Sequence, residues 1–321
     1  KASGQQKQKL TQVLSAMYEV RKLAALAKRN GLFRTASALD VTLNLLWAMR
    51  NPDPRDPNAN VYHRLPVVTR ADFFISHSWS CPGWLRILAI CHHLNLNMAI
   101  GSCLLTSFFS VLFLVFSAGS FDSIAKQPHA VLQLWLLGFP TVVFLTVYLF
   151  GHVWSQKSFW FDRICVDQLN LDVKHQTLQA IPAFVAGSSE MLVLWDETYS
   201  SRLWCNYELA VHAKTAASPD AIKALPVWIP VWTLLLFGFP AILNCLVYEE
   251  SVSLHPETPL SLFLGWFQTY TLPESIYSML IGFPVSWFCL QKLRRHKLML
   301  DQMSDFDLRN AKCTEENDRQ L

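Results

Sequence analysis

Charge vanishes from four stretches of this chain, and that pattern limits its possible folds more than any motif does. Residues 87–121, 127–156, 224–248 and 258–291 hold a single Asp, Glu, Lys or Arg among 124 residues, Glu274. The other 197 residues hold 50, about 25%, which is the usual density of a soluble domain. A charged side chain costs several kcal/mol in hydrocarbon, so long uncharged runs are the segments able to cross a bilayer core of about 30 Å. The pattern describes an ordinary soluble protein interleaved with four membrane-compatible segments. It excludes a disordered chain, a collagen-like repeat and a simple cytosolic globule.

The spacing predicts a transmembrane hairpin of 91–117 and 130–154, centred on Leu94 to Phe116 and Ala130 to Trp154, and a second pair at 227–248 and 262–290. The last window is divided by Leu272-Pro273-Glu274. It reads as an interfacial helix followed by a short span from Ser275, or as one kinked, tilted span. Three spans carry a Gly-Phe-Pro step, at Gly138, Gly238 and Gly282. Glycine there permits close helix approach and proline introduces a kink. The loop at 249–259 contains Glu249, Glu250 and Glu257 and no Lys or Arg, whereas the tail after 291 opens with Lys292, Arg294, Arg295 and Lys297. Basic residues collect on the cytosolic side, so the expected protein is a multi-pass integral membrane protein with its soluble domain and both termini in the cytosol.

The soluble blocks carry their own periodicities. Leu10, Val13, Leu14, Met17, Val20, Leu23 and Leu26 form a helical stripe closed by Asn30-Gly31, and a second helix runs from about Thr35 to Met49. Residues 1–50 thus read as an N-terminal amphipathic α-hairpin, and the Pro/Asp/Asn-rich 51–65 as a linker. Strands are predicted over 67–76, 159–166 and 191–195, helices over 175–185 and 202–215, and an edge strand within 221–229. Alternating strands and helices signal a parallel sheet. This soluble domain is split between 66–90 and 155–225, with 291–321 as a cytosolic C-terminal tail. The net charge of +3 gives no case for nucleic acid. The eight cysteines form no CxxC pair and are expected to be reduced thiols.

Three segments of the soluble blocks carry a resemblance. Asp72-Phe-Phe-Ile-Ser-His-Ser-Trp79 resembles the first strand of a Toll/interleukin-receptor (TIR) domain, and Phe161-Asp-Arg-Ile-Cys-Val-Asp-Gln168 its second strand and exit. Ser188 to Leu209, with Tyr199, Trp204, Cys205, Glu208 and Leu209 in the spacing that the family's Y-x-x-S-x-W-C-x-x-E-L pattern gives them, resembles the third strand and following helix. The arrangement is similar to multi-span TIR-like proteins predicted in dinoflagellates and related protists. The resemblance covers under a third of the chain. It implies a flavodoxin-like α/β parallel sheet, here interrupted by a membrane hairpin where the family's first helix should lie. The usual Arg-Gly element is missing after the second strand, from Leu169 to Lys174.

That resemblance implies signalling or scaffolding through TIR-type contacts, with the lipid bilayer and either a second copy or other TIR-like domains as partners. Some TIR domains cleave NAD with the glutamate of this pattern, which falls on Glu208. No cofactor is required; NAD enters as a possible substrate. Breaking the nicotinamide–ribose bond builds positive charge on the ribose, which a carboxylate in a desolvated cleft stabilises. Trp204 lies one helical turn before Glu208 and could wall such a pocket. Ser76, His77, Ser78 and Trp79 leave the carboxyl end of the first strand, where open α/β sheets bind ligands. Asp162, Arg163 and Asp167 form either a strand-end ion-pair cluster or part of that pocket. Equally, Glu208 fits simple helix-dipole complementarity and Trp204 a core position. His77 with Cys81, and Cys91-His92-His93, lack zinc spacing, so no metal is expected, and His92 and His93 are placed at the membrane interface. Glu274 is a gating carboxylate of a transporter or channel, or the start of an interfacial helix.

Overall fold

In the computed structural model, residues 18, 20–50, 61–118, 134–216, 218–235, 291, 294, 297 and 301 are described. They divide into two units. The described residues up to His93 and those of His152–Ile229 form the first; the described residues of Leu94–Gly151 and from Pro230 to Asp301 form the second.

The first unit is built on a mixed five-stranded sheet with helices. Its strands are β1 (Ala36–Ser37), β2 (Ala71–His77), β3 (Ser158–Trp160), β4 (Ser188–Trp195) and β5 (Ile222–Pro226). They lie in the order β1-β3-β2-β4-β5. β2 runs parallel to β3 (Phe73 opposite Phe159) and to β4 (Ala71 opposite Ser188 through His77 opposite Leu194), and β4 runs parallel to β5. The central strands β2 and β4 are buried along most of their length, which is why both read as unbroken apolar runs rather than alternating ones. On one face Phe73 stacks on Phe159 at 5.2 Å. On the other, Phe74 stacks on Trp160 at 4.7 Å, and Trp160 packs against Phe184.

The helices are α1 (Ala38–Arg50), α2 (Gly83–Ala118), α3 (Phe139–Phe150), α4 (Asp162–Cys165), α5 (Leu171–Gln179), α6 (Ile181–Ala186) and α7 (Leu203–Thr215). α2 belongs to the first unit only as far as His93, whose ring meets Phe73 edge-on. The position of the domain's first helix is therefore filled. The first unit is left at His93 and resumed at His152, so Gly83–His93 serves as the crossover helix and the same helix continues beyond it as the apolar segment. His93 lies against the sheet.

Other expectations shift by local chemistry. The strand predicted over 159–166 ends at Trp160, because Asp162 opens a single helical turn in which Cys165 N–H bonds to Phe161 O and Val166 N–H to Asp162 O. The link within the N-terminal hairpin is not a plain turn. Gly31, with φ of +61°, closes the helix of residues 20–29, and Ala36–Ser37 then pairs antiparallel with β3 as an edge strand. Ser37 and Asp40 cap α1 reciprocally: the Ser37 N–H and hydroxyl both donate to Asp40 Oδ2, and the Asp40 N–H donates to Ser37 Oγ. The helix predicted over 175–185 is two helices. Asn170 caps α5 by accepting from Asp172 and Val173 N–H, and Pro182 in the first turn of α6 cannot continue the ladder.

Residues 83–117 of α2, which enters the second unit at Leu94, are long and apolar enough to cross a membrane, with only 17% of the apolar window buried. Large side chains such as Leu104, Phe108 and Phe116 stand exposed along it. The Asn95 side-chain amide donates to the Tyr148 carbonyl of α3, beside a small core of Ala99, Phe144 and Tyr148. α3 is a shorter apolar helix entered from a π-helical turn, Leu134–Gly138, so the first Gly-Phe-Pro step marks a change of helical pitch. The spans expected at 227–248 (beyond residue 235) and 262–290, Glu274, the other two Gly-Phe-Pro steps, and most of the 291–321 tail and of the 51–65 linker lie outside the described residues, as does the start of the N-terminal helix.

Candidate functional site

The crossover from β2 leads to β3 on one side, and the connection from β3 leads to β4 on the other. The strand order therefore reverses at β2, and the crevice beyond the carboxyl ends of such strands is where open α/β sheets take ligands. Ser76 and His77 end β2 there, and Asp196 to Tyr199 leave β4 beside them.

α7 is tied to this strand end by a chain of hydrogen bonds. The fully buried Ser76 hydroxyl donates to Glu208 Oε2 at 2.6 Å and lies 2.8 Å from the Tyr199 hydroxyl. Tyr199 in turn donates to the Cys205 carbonyl, and the Cys205 thiol donates to the His77 carbonyl. Glu208 is half-buried as a residue, but its carboxyl group points inward onto Ser76. Burial pushes its pKa up to about 8; the Ser76 hydroxyl opposes the rise and the Asp162 charge adds to it. At neutral pH the carboxyl group is therefore mostly protonated. Burial holds Tyr199 protonated as well.

His77 is buried with its Nε2 3.9 Å from Asp162 Oδ1 and its ring beside Phe161. Burial lowers its pKa to about 4 against the attraction of Asp162, so it is neutral at pH 7. Trp79 stands exposed and donates its indole N–H to Asp162 Oδ2 at 2.9 Å. The hydroxyls of Ser78, Ser80 and Thr198 close into a triangle, with Ser78 2.7 Å from each of the other two. Asp196 fixes Thr198 by accepting from its N–H and its hydroxyl. The arrangement offers a protonated carboxyl group, a hydroxyl cluster and an exposed indole around one strand end.

Of the residues singled out from sequence, Ser76, His77, Ser78, Trp79, Asp162 and Glu208 converge here. Arg163 is close enough for its charge to act on His77. Trp204 packs edge-on against Tyr207, while the Glu208 carboxyl group turns to Ser76. Asp167 does not join them, which corrects the single strand-end cluster. Its Oδ1 accepts from Leu169 and Asn170 N–H, its Oδ2 lies 3.5 Å from His63 Nε2, and it lines a separate cleft with Arg34 and Tyr62. The α4 turn is what sends Asp162 and Asp167 apart. Sequence reasoning gave no role to Ser80, Asp196, Thr198 and Tyr199; their signal was proximity to the carboxyl ends of the two central strands. Among the described residues no group of three or more His, Cys, Asp or Glu could hold a metal ion, and no disulfide joins the described cysteines.

Compared with protein-family models, curated proteins and solved structures, the chain matches none.

Proposed function

We propose that this chain is a membrane-anchored signalling or scaffolding protein whose first unit is a TIR-like, flavodoxin-like domain acting through contacts with a second copy or another such domain. The observation that carries the reading is the strand order. Counted along the chain, the parallel strands β2, β3, β4 and β5 lie as 2-1-3-4, the start of the flavodoxin-like order. The apolar continuation of α2, exposed along most of its length, supports insertion in a bilayer over a role as a soluble core helix. In this reading the chain is multi-pass, with four spans and a cytosolic first unit. The segment from α4 into the start of α5 offers two exposed leucines, Leu169 and Leu171, to a partner. The test is the oligomeric state of the full chain in nanodiscs across a concentration series. The proposal expects concentration-dependent oligomers that Leu169→Asp and Leu171→Asp weaken; a strict monomer at every concentration contradicts it.

A second reading is favoured by one observation, the placement of Glu208 against Ser76 at the point where the strand order reverses. In that reading the protein is a membrane-tethered NAD glycohydrolase. Glu208 must then be ionised to stabilise the ribosyl cation, so nicotinamide release rises with pH through about 8. Absence of nicotinamide release by the oligomerised protein, or equal release by Glu208→Ala, sinks it. The transporter or channel alternative turns on the kinked spans and Glu274, of which only the Gly138 step lies among the described residues.

A further inference from the structure

A second cavity lies at the opposite end of the sheet, where Val68 and Thr69 lead into β2 and Gly187 into β4. Its volume is about 340 Å³, and its far wall is the helix of residues 20–29. The sequence of that helix explains the space. Arg21 precedes Ala24 and Ala25 by three and four residues and Lys28 follows them by four and three, so one helical face presents two small side chains between two cations. The floor is Phe33 and Phe184, whose rings lie 4.8 Å apart, with Ala183 beside them. Gly187 keeps the floor low, since a Cβ there would stand 2.8 Å from Phe33 Cε1. Arg21 and Lys28 are exposed at the wall, and among the described lining residues there is no Asp or Glu.

Shape and charge together restrict the occupant. The volume is at the small end of ligand pockets, about 300–1,000 Å³, and suits one hydrocarbon chain of roughly ten carbons better than a dinucleotide or a protein segment. The apolar lining disfavours a fully polar ligand, and two cations with no Asp or Glu among the described lining residues disfavour a cationic one. We propose that this cleft binds one single-chain anionic amphiphile, its hydrocarbon over Phe33 and along Ala24 and Ala25, its acidic head between Arg21 and Lys28. The ligand is either a free acid or an acyl chain of an anionic bilayer lipid; both present the same chemistry. The site is separate from Glu208 and does not depend on the reading of that residue.

The test uses the full chain in phosphatidylcholine nanodiscs, titrated with the fluorescent acid dansyl-undecanoate, with empty nanodiscs measuring simple partitioning. The expected result is one saturable site per chain with blue-shifted emission. Ala25→Trp fills the cleft from the exposed helix and should abolish the saturable component. The double reversal Arg21→Glu with Lys28→Glu should weaken the acid about tenfold, while the methyl ester of the probe, weaker on the native chain, is unaffected. Competition by phosphatidylglycerol nanodiscs supports the proposal with the bilayer as source, and competition by free dodecanoate alone supports it with a soluble acid as source. Absence of saturable binding, undiminished binding to Ala25→Trp, or equal affinity for acid and ester on the native chain overturns it.

Discussion

Replacing Glu208 with Gln tests the electrostatics of the site without presuming any reaction. Glu208 is protonated in the fold up to about pH 8, whereas its ordinary value is 4.5. The folded chain therefore holds a proton that the unfolded chain releases between these values, and stability falls as pH rises through that window. The contribution is fully present below about pH 4.5 and fully lost above about pH 8. The full interval corresponds to roughly 5 kcal/mol at most. Glu208 is only half-buried as a residue, so solvent screening brings the expected figure to about 2 kcal/mol. Glutamine keeps the shape and the acceptor for Ser76 but cannot ionise. The two proteins should melt together near pH 5, and the variant should gain on the native chain as pH rises to 9. At roughly 2–4 °C per kcal/mol for a unit of this size, the gap reaches about 4–8 °C. Thermal melts of both proteins in nanodiscs, followed by tryptophan fluorescence from pH 5 to 9, give the difference directly, because every other titrating group is common to both. Parallel curves, or a native chain that gains on the variant as pH rises, would refute the claim that the carboxyl group is buried and neutral.

Four further outcomes check other parts of the structure. Tyr199→Phe removes the hydroxyl shared by Ser76 and the Cys205 carbonyl and should cost about 1–2 kcal/mol, read as a lower melting temperature of the first unit. Gly187→Ala sets a Cβ 2.8 Å from Phe33 Cε1 and 3.0 Å from the Ala183 carbonyl, and should cost about 1–3 kcal/mol; a neutral melt would show that the Phe33 ring yields. Leu104→Arg places a charge in the exposed apolar stretch of α2 and should cost about 2.5–3.5 kcal/mol of membrane insertion, measured as the inserted fraction in microsomes. Joining His93 to His152 through a short Gly-Ser linker and ending the chain at Ile229 should leave the first unit with one cooperative thermal transition; an aggregate without a transition counts against it.

Strand positions were readable because β2 and β4 are apolar on both faces, and the chain offers few other places to bury Phe73-Phe74-Ile75 or Met191-Leu192-Val193-Leu194. The helical turn at Asp162 was hidden because Phe161-Asp-Arg-Ile-Cys-Val has strand-like composition, and only a carboxylate suited to a helix start tips it the other way. β1 was illegible for a different reason. Two residues have no periodicity, and Ala36–Ser37 becomes a strand only because β3 has an open edge. The same distinction divides the site. Glu208 and the residues from Ser76 to Trp79 stood out by spacing, but the hydroxyl triangle of Ser78, Ser80 and Thr198 joins two loops more than a hundred residues apart in sequence. Only the pairing of β2 with β4 brings them together.

The place where the first unit is interrupted follows from the geometry of a parallel crossover. β2 and β3 can pair side by side only if the chain returns from the carboxyl end of one to the amino end of the other, and a helix packed on the sheet makes that return. The eleven residues Gly83 to His93 supply the helix, and by His93 it has come level with Phe73, near the amino end of β2. From that point the crossover needs only to re-enter β3 at Ser158, and what lies between is free to lengthen. His152 opens the returning segment within reach of the starting helix, its Nδ1 3.6 Å from Cys91 Sγ and its Nε2 3.1 Å from the Thr42 hydroxyl. The two ends of the insertion are thus fixed to each other inside the first unit before any other contact is considered. An insertion there leaves the sheet pairing, the strand order and the Glu208 cluster at the carboxyl ends unaltered, which an insertion in the loop from Ser78 to Pro82 could not do.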